Sequence, residues 1–189
     1  PGQKLMLDDK PAAWINTPDE PEPETLPCPA PIGTLINIYD IFTLNDAALK
    51  ADFELLTAGK QSVAPHESCT IIGPKENLFI APGASVLGCT LNVSNGPIFV
   101  GPGAQVMEGS CLRGPIAVCG HSNVNMGTRI YGATTIGPHC KVGGEINNVV
   151  MQGYSNKAHD GFLGNAVIGE WCNLGAGCVA SNLKNDYTE

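Results

Sequence analysis

The sequence predicts a mainly β protein, a parallel β-helix preceded by a proline-rich arm and one short α-helix. Three observations indicate this fold. Aliphatic residues recur at an unbroken interval of six between residues 100 and 142, a mostly small side chain follows each of them by four positions, and glycine directly follows several of them. A period of six fits neither an α-helix nor a simple strand, so the chain must turn a corner once per unit.

The repeat also predicts the core. Three corners close a triangular coil of about eighteen residues, in which each aliphatic side chain points inward and stacks on its equivalent at the ~4.8 Å spacing of neighbouring strands. The pattern resumes two residues out of phase after an interruption, so we expect an irregular coil between Val142 and Val150. The first series is Val100, Val106, Leu112, Val118, Val124, Ile130, Ile136 and Val142, and the second is Phe162, Ile168, Leu174 and Ala180.

The chain before the repeat is expected to divide into two parts, with the β-helix following over residues 65–189. Eight of the fifteen prolines lie in residues 1–31, and successive prolines remove backbone donors and fix φ. Residues 1–35 are therefore interpreted as a linker, or the end of a preceding domain, that forms neither a helix nor a central strand. Residues 36–64 are predicted to form a connecting strand and a short helix.

The short helix is predicted from Asp46 to Ala58. Asn45 is a residue type that favours the N-cap position, and Gly59 can end the helix. An apolar stripe on such a helix indicates packing against a core. The stripe consists of Leu49, Phe53 and Leu56.

Composition limits the classes of function. The chain of 189 residues is 43% hydrophobic and 15% charged, which is typical of a globular protein. A net charge of -8 with ten scattered basic residues argues against a nucleic-acid surface. No apolar run approaches a signal-peptide core or the roughly 20 residues of a membrane span, so a soluble cytoplasmic protein is expected. The absence of an initiator methionine indicates a fragment of a longer chain.

The eight cysteines include no C-x-x-C pair, which argues against a metal or redox motif. Cys140, Cys172 and Cys178 fall on a recurring position of the repeat where a small buried side chain is expected. Reduced thiols that act as small hydrophobic groups are therefore predicted.

Function is expected where the repeat breaks, because the smooth sides of a solenoid carry little chemistry. Lys141, Glu145, Lys157 and Asp160 fall within twenty positions around this break. His159 lies among them, and imidazole titrates near neutral pH, so it is a candidate for proton transfer with its tautomer fixed by Asp160 or a carbonyl. The alternative is a surface histidine at a corner.

A metal site is a third interpretation of the histidines. His121, His139 and His159 are 18 and then 20 residues apart, so after correction for the change of phase they occupy one position in three successive coils. Three nitrogen ligands suffice for a catalytic zinc site. Stacking on one side of the coil does not by itself give tetrahedral convergence, which argues against this interpretation.

The segment K-A-H-D-G-F-L-G-N-A-V-I-G-E-W-C-N-L-G-A-G resembles the acetyltransferase domain of the bacterial bifunctional N-acetylglucosamine-1-phosphate uridyltransferases/glucosamine-1-phosphate acetyltransferases. Longer motifs, A-L-K-A-D-F-E-L-L-T, I-Y-G-A-T-T-I-G-P and N-K-A-H-D-G-F-L-G, are similar to those of sugar-1-phosphate nucleotidyltransferases of the Bacteroidetes type. The resemblance covers roughly residues 37–189. It implies a left-handed β-helix of hexapeptide repeats, assembled as a homotrimer with its sites in clefts shared between subunits.

The resemblance also implies roles for individual residues. His159 falls on the catalytic base that deprotonates the amine of glucosamine 1-phosphate as the amine attacks the thioester of acetyl-CoA. Arg129 falls on the arginine that binds the sugar phosphate, and Glu145 on a glutamate at the same spacing. The remaining matches are Asn173 and Asn182, which contact the sugar or orient the histidine, and the backbone of Ala176 and Gly177, which steadies the thioester oxyanion.

Two positions depart from the family pattern. Asn147 stands where the family has a phosphate-binding lysine, and Phe162 where it has a tyrosine. A lost charged hydrogen bond weakens recognition by about 1.5–3 kcal/mol, so the substrate is open. Lys157 or Lys141 is a candidate to compensate, and the alternative for Lys157 is a solvated corner residue.

Two functions are consistent with these residues. The first is acetyl-CoA-dependent N-acetylation of an amino sugar 1-phosphate, with a small-molecule sugar phosphate as partner. The second is a non-catalytic trimerisation or regulatory β-helix of a glucose-1-phosphate nucleotidyltransferase of the thymidylyl- or uridylyltransferase type. Mg²⁺ is expected only if a nucleotidyltransferase domain is present in the full-length protein, because residues 1–64 contain no glycine-rich nucleotide loop.

Overall fold

The computed structural model describes residues 3–7, 10–14, 24–27 and 33–180. The chain divides into two compact units, Pro1–Ile36 and Asn37–Glu189. Within the described residues, no helix is both long enough and apolar enough to cross a membrane.

The first unit contains a three-stranded sheet, formed by β1 (Gln3–Leu7), β2 (Lys10–Trp14) and β3 (Glu24–Pro27). β1 is central, with β2 antiparallel on one side and β3 parallel on the other. The segment interpreted as a linker or as the end of a preceding domain thus contains three short strands. Proline is excluded only from central strands, and Pro11 and Pro27 lie on the two edge strands.

The second unit begins with two helices, α1 (Asp40–Thr43) and α2 (Asn45–Thr57). α1 stands where a connecting strand was predicted. The reason is local, because the Asp40 carboxylate accepts a hydrogen bond of 2.8 Å from the backbone N–H of Asn37 and closes a helical turn. α2 begins and ends one residue earlier than predicted, and Gly59 follows it at φ +70.

Asn45 does not cap α2. Its side chain instead connects the helix to the β-helix by hydrogen bonds. Leu44 occupies the N-cap position, with no side-chain cap. The Asn45 amide donates to the carbonyl of Ala133 at 2.8 Å and accepts from the Thr135 hydroxyl at 3.0 Å. The predicted stripe of Leu49, Phe53 and Leu56 lines a 150 Å³ cavity against the β-helix, together with Phe99 and Ile116. Leu49 and Phe53 are partly buried on this side of α2, whereas Leu56 is 49% exposed.

The rest of the unit is a parallel β-helix of about six coils, consistent with the left-handed form. A 3₁₀ turn spans Lys75–Asn77. The strands in chain order are β4 (Thr70–Ile72), β5 (Leu78–Ile80), β6 (Ser85–Val86), β7 (Thr90–Asn92), β8 (Ile98–Val100), β9 (Gln105–Val106), β10 (Cys111–Arg113), β11 (Ile116–Val118), β12 (Asn123–Val124), β13 (Arg129–Tyr131), β14 (Thr134–Ile136), β15 (Lys141–Val142), β16 (Glu145–Met151), β17 (Asn156–Lys157) and β18 (Phe162–Ile168).

The strands stack in three parallel sheets, which we name faces A, B and C. Face A contains β4, β7, β10, β13 and the first halves of β16 and β18. Face B contains β5, β8, β11, β14 and the second halves of β16 and β18. Face C contains β6, β9, β12, β15 and β17. The corners between faces turn the chain, as the six-residue period requires.

The predicted core is confirmed over the first series. All eight aliphatic residues from Val100 to Val142 are at most 1% exposed. Beyond Val142 the interior continues with Ile146, Met151, Lys157 and Leu163, which are at most 2% exposed. Burial of apolar side chains in this core stabilises the fold by about 25 cal/mol for each Å² of apolar surface removed from water.

The irregular coil lies where it was predicted, and it is shorter than its neighbours. Arg129 pairs with Cys111, 18 positions before it, but with Glu145 only 16 positions after it. Two residues are lost at the corner between faces C and A, where the inward Ile146 follows Val142 by four positions instead of six. β16 then runs continuously from face A to face B, and Met151 follows Ile146 by only five. One expectation fails as a result. Leu163, not Phe162, faces inward, because Leu163 pairs with Ile146 and places Phe162 beside Glu145.

The seven described cysteines are free. Cys140 is buried as predicted, and the backbone N–H of Ser155 in the next coil lies 3.5 Å from its sulfur. Cys172 continues this stack, since its N–H donates to the Ser155 hydroxyl at 2.8 Å. Cys172 and Cys178 are nevertheless exposed, and Cys178 lies outside this stack. Burial raises the pKa of the Cys140 thiol, which keeps it protonated.

Candidate functional site

Face A carries an open cleft of about 460 Å³, which we name the face-A cleft. Residues in a strand alternate between inward and outward, so each face-A strand presents two outward side chains on either side of an inward aliphatic one. The first outward row contains Thr90, Cys111, Arg129, Glu145 and Phe162, and the second contains Ile72, Asn92, Arg113, Tyr131 and Asn147.

Arg129 and Glu145 are brought together by the register of face A. They are paired neighbours in the first row, and the Arg129 guanidinium lies 3.5 Å from the Glu145 carboxylate. The Tyr131 hydroxyl donates to the other carboxylate oxygen at 2.6 Å. This hydrogen bond raises the pKa of Tyr131, because ionisation would place two negative charges in contact. Glu145 thus orients an arginine and a tyrosine toward the cleft.

Asn147 and Phe162 extend these rows on the C-terminal side. Phe162 is paired with Glu145 in the first row, and Asn147 is paired with Tyr131 in the second. Four of the predicted binding residues, Arg129, Glu145, Asn147 and Phe162, therefore share one surface. Among them, only Arg129 can hold an anion by charge.

His159 lies at the corner between faces C and A, three residues before Phe162. Its side chain is exposed and makes no hydrogen bond with any described residue, so Asp160 does not fix its tautomer by direct contact. Two hydrogen bonds from side chains to backbone carbonyls stabilise this corner. The Asn125 amide donates to the carbonyl of Ala158 at 2.9 Å, and the Lys157 ammonium donates to the carbonyl of His159 at 2.6 Å.

The structure contradicts both predictions for Lys157. The side chain is 1% exposed and points into the β-helix, so it neither reaches a substrate nor lies in solvent. Val142 is its paired neighbour, which places the lysine in an inward aliphatic stack. Besides the carbonyl of His159, its ammonium also binds that of Gly143, at 3.1 Å. Lys141 points outward on face C, away from the face-A cleft, and does not compensate for Asn147 either.

The metal interpretation is also wrong. His121 and His139 do stack, with ring centroids 5.0 Å apart, but the next ring is Tyr154 and the one after it is Trp171. His159 does not belong to this stack, because the short coil moves Tyr154 into its place. No group of three or more metal-binding side chains occurs among the residues for which a structure is given.

The remaining predicted residues lie in the last coil. Asn173 bridges Asn156 on face C and is exposed. The Gly177 N–H already donates to the carbonyl of Asp160 at 3.0 Å, so it is not available for an oxyanion. The neighbouring Ala176 N–H makes no described hydrogen bond. Asn182 lies outside the described residues.

Sequence reasoning missed the N-terminal half of the face-A cleft, above all Arg113 and Tyr131. Both directly follow an inward aliphatic residue, Leu112 or Ile130, and so both fall in the second outward row. This offset from the repeat was visible in the sequence.

Comparison with known proteins finds relatives in several organisms. The chain is similar to the bifunctional protein GlmU. It is 31% identical over 90 residues to GlmU of Gloeobacter violaceus, which is 47% of this chain and 19% of the relative. It is 27% identical over 118 residues to GlmU of Synechococcus elongatus, which is 59% of this chain and 25% of that relative. It is 31% identical over 104 residues to GlmU of Rippkaea orientalis, which is 46% of this chain and 23% of that relative. No protein-family model matches the chain.

The matched segments span about a fifth to a quarter of the length of these relatives. The similarity agrees with the resemblance that the hexapeptide repeat and the K-A-H-D-G-F-L-G motif indicate.

Proposed function

We propose that the β-helix is an acetyl-CoA-dependent N-acetyltransferase domain that acts on an amino sugar carrying phosphate at C1. The observation that supports this most directly is the arrangement of face A. Arg129, oriented by Glu145, faces an open cleft, and an exposed imidazole stands at the corner where the same face begins. A phosphate-binding guanidinium and a proton acceptor are the two groups that such a reaction needs.

The proposed reaction assigns a role to each group. Arg129 holds the phosphate, and His159 accepts a proton from the amine as its nitrogen attacks the thioester carbonyl. The C–S bond then breaks, and the sulfur leaves as CoA thiol after it takes up a proton, so the products are an amide and CoA. The role of steadying the oxyanion falls to the Ala176 N–H, which makes no hydrogen bond with a described residue, because the Gly177 N–H is already engaged. Asn173 and Asn182 contact the sugar or orient the imidazole.

Assembly and context belong to the same proposal. The Arg129 and Glu145 side chains are 57% and 34% exposed in the single chain, so the face-A cleft is open on one side. A homotrimer would close it with a neighbouring copy. The similarity to much longer GlmU proteins supports a chain that is part of a larger sugar-1-phosphate nucleotidyltransferase. The proposal places that protein in the cytoplasm and, from its sequence motifs, in the Bacteroidetes type, with Mg²⁺ serving the nucleotidyltransferase domain.

A second candidate is a trimerisation or regulatory module of a glucose-1-phosphate nucleotidyltransferase. One observation favours it. Asn147 and Phe162 stand on the site surface without the ammonium and hydroxyl groups that the resembled family has there.

Release of CoA from acetyl-CoA, measured with a panel of amino sugar 1-phosphates, separates the two candidates. The His159→Ala variant is expected to lose about 10²–10⁴-fold in rate. His66→Ala is a matched control, because His66 is also exposed and, among the described residues, its ring hydrogen-bonds only to Ser68 near the N-terminal end of the β-helix. Equal rates for the wild type and His159→Ala would eliminate the base assignment.

A further inference from the structure

The N-terminal half of the face-A cleft has no role in the function proposed above. Beyond Arg129 the cleft continues across β10, β7 and β4. Its second row contributes Arg113, Asn92 and Ile72 there, and Thr90 and Cys111 belong to the first row. A single phosphate bound to Arg129 would leave these groups without a ligand.

The charges of the cleft are unbalanced. Its lining contains two cations, Arg113 and Arg129, and one anion, Glu145. Glu145 is already engaged by Arg129 and by the Tyr131 hydroxyl. Arg113 makes no ion pair or hydrogen bond with any described residue. In a chain with a net charge of -8, an exposed and unpaired guanidinium in a cleft favours a further anionic group.

The register gives the spacing of the two arginines. Cys111 is paired with Arg129, so Arg113 lies one coil away and two residues along the strand. With strands ~4.8 Å apart and a rise of ~3.3 Å per residue, the two Cα atoms are roughly 8 Å apart. Both long side chains line the same cleft. They are therefore close enough to hold two linked anionic groups, one each.

We propose that the face-A cleft binds a diphosphate ester of the amino sugar, with the phosphate next to the sugar on Arg129 and the second phosphate on Arg113. This rests on the proposed function and specifies its substrate class. The ester group would continue over Asn92 and Ile72. The side-chain oxygen Oδ1 of Asn92 accepts from the N–H of Ser94 at 3.0 Å, and the side-chain NH₂ group makes no hydrogen bond with a described residue, so it is free to donate. Ile72, 43% exposed, offers apolar surface.

The proposal also accounts for Asn147. The lysine expected at that position would contact phosphate from the C-terminal side of Arg129. Arg113 stands on the N-terminal side of Arg129, two coils before Asn147 in the same row. Compared with the resembled family, the second cationic contact to the anion is therefore at Arg113 instead of at position 147. This is the end of the cleft that the second phosphate would occupy.

Calorimetric titration of the full chain with pyrophosphate and with inorganic phosphate tests the proposal. Pyrophosphate is expected to bind at least about tenfold more tightly than phosphate, since it gains a second guanidinium. Arg113→Gln should abolish this preference and leave phosphate binding unchanged, whereas Arg129→Gln should weaken both. Lys141→Gln, a variant of an exposed cation on face C, is the matched control and should change neither. Equal affinity for both anions, or a preference that survives in Arg113→Gln, would overturn the proposal.

Thiol labelling provides a second readout. Cys111 is exposed and is the paired neighbour of Arg129, so bound pyrophosphate should slow its reaction with a maleimide. Cys172 and Cys178 are exposed elsewhere and should react at the same rate with and without the anion. Uniform protection of all three, or none, would count against binding in the cleft.

These measurements need neither acetyl-CoA nor an amino group. A pyrophosphate preference without acetyl transfer would retain the site and remove the proposed reaction. Acetyl transfer to a 1-phosphate without any pyrophosphate preference would support the proposed reaction and overturn the diphosphate site.

Discussion

The ammonium group of Lys157 donates a hydrogen bond of 2.6 Å to the carbonyl oxygen of His159, from inside the β-helix. The lysine occupies an inward position beside Val142 and also binds the carbonyl of Gly143 at 3.1 Å. Two carbonyl dipoles thus replace water around a buried cation. The corner that presents the exposed imidazole is therefore attached to the core by a charged group.

Burial lowers the pKa of Lys157 below 10.5, and this makes stability depend on pH. Between the lowered folded pKa and 10.5, the unfolded chain binds more protons at this site than the folded chain. The free energy of unfolding should therefore rise with pH in that window. In Lys157→Met this contribution to the slope should vanish, as measured by urea unfolding at a series of pH values. Lys141→Met, at an exposed site, should keep the wild-type slope, and identical slopes in all three proteins would refute the assignment.

Gly137 and Gly169 occupy the same position two coils apart, and among the described residues only Gly137 is covered by a further coil. A Cβ at Gly137 would collide with the backbone of Met151 and Gln152, whereas at Gly169 the nearest atom of a described residue is the Cys172 sulfur at 4.0 Å. Gly137→Ala is expected to destabilise the fold by about 2 kcal/mol or more, and Gly169→Ala to change it by less than about 0.5 kcal/mol. Thermal unfolding of the pair checks this, and comparable losses would show that the stacking contact is not the cause.

The attachment of α2 depends on Asn45, which is 8% exposed and bonds to Ala133 and Thr135. Asn45→Ala should cost about 2 kcal/mol, because it leaves buried polar partners unsatisfied. Lys50→Ala removes an exposed ion pair with Asp46 on the same helix and should cost only about 0.3–0.5 kcal/mol. Denaturant unfolding measures both. A smaller loss for Asn45→Ala than for Lys50→Ala would contradict the role given to these hydrogen bonds.

Glu145 should control the ionisation of Tyr131. The pKa of Tyr131 lies above its usual 10.0, and the hydrogen bond to Glu145 is the main cause. Glu145→Gln is expected to lower that pKa, because the neutral amide no longer repels a phenolate. The titration of Tyr131 is isolated by subtracting the phenolate absorbance of Tyr131→Phe. Glu54→Gln, on the exposed side of α2, is the control, and an unchanged Tyr131 titration in Glu145→Gln would argue against the contact.

Most of the fold was predictable from local regularities. The six-residue period identified the inward residues from Val100 to Val142, because each coil of ordinary length repeats the same pattern of corners and strands. The pairing of Arg129 with Glu145 is different. Their spacing suggested a shared site only through resemblance to a family, and the register of face A is what makes them neighbours.

What the sequence by itself determined is the architecture: a parallel β-helix, its regular core and the place where the repeat breaks. Only the tertiary structure decided how the coils after the break align. Shortening one coil turns Leu163 inward in place of Phe162, places Tyr154 rather than His159 on the aromatic stack, and buries Lys157. The physical reason is that the register between coils depends on how many residues each corner consumes, and that number is fixed by packing against the coils above and below.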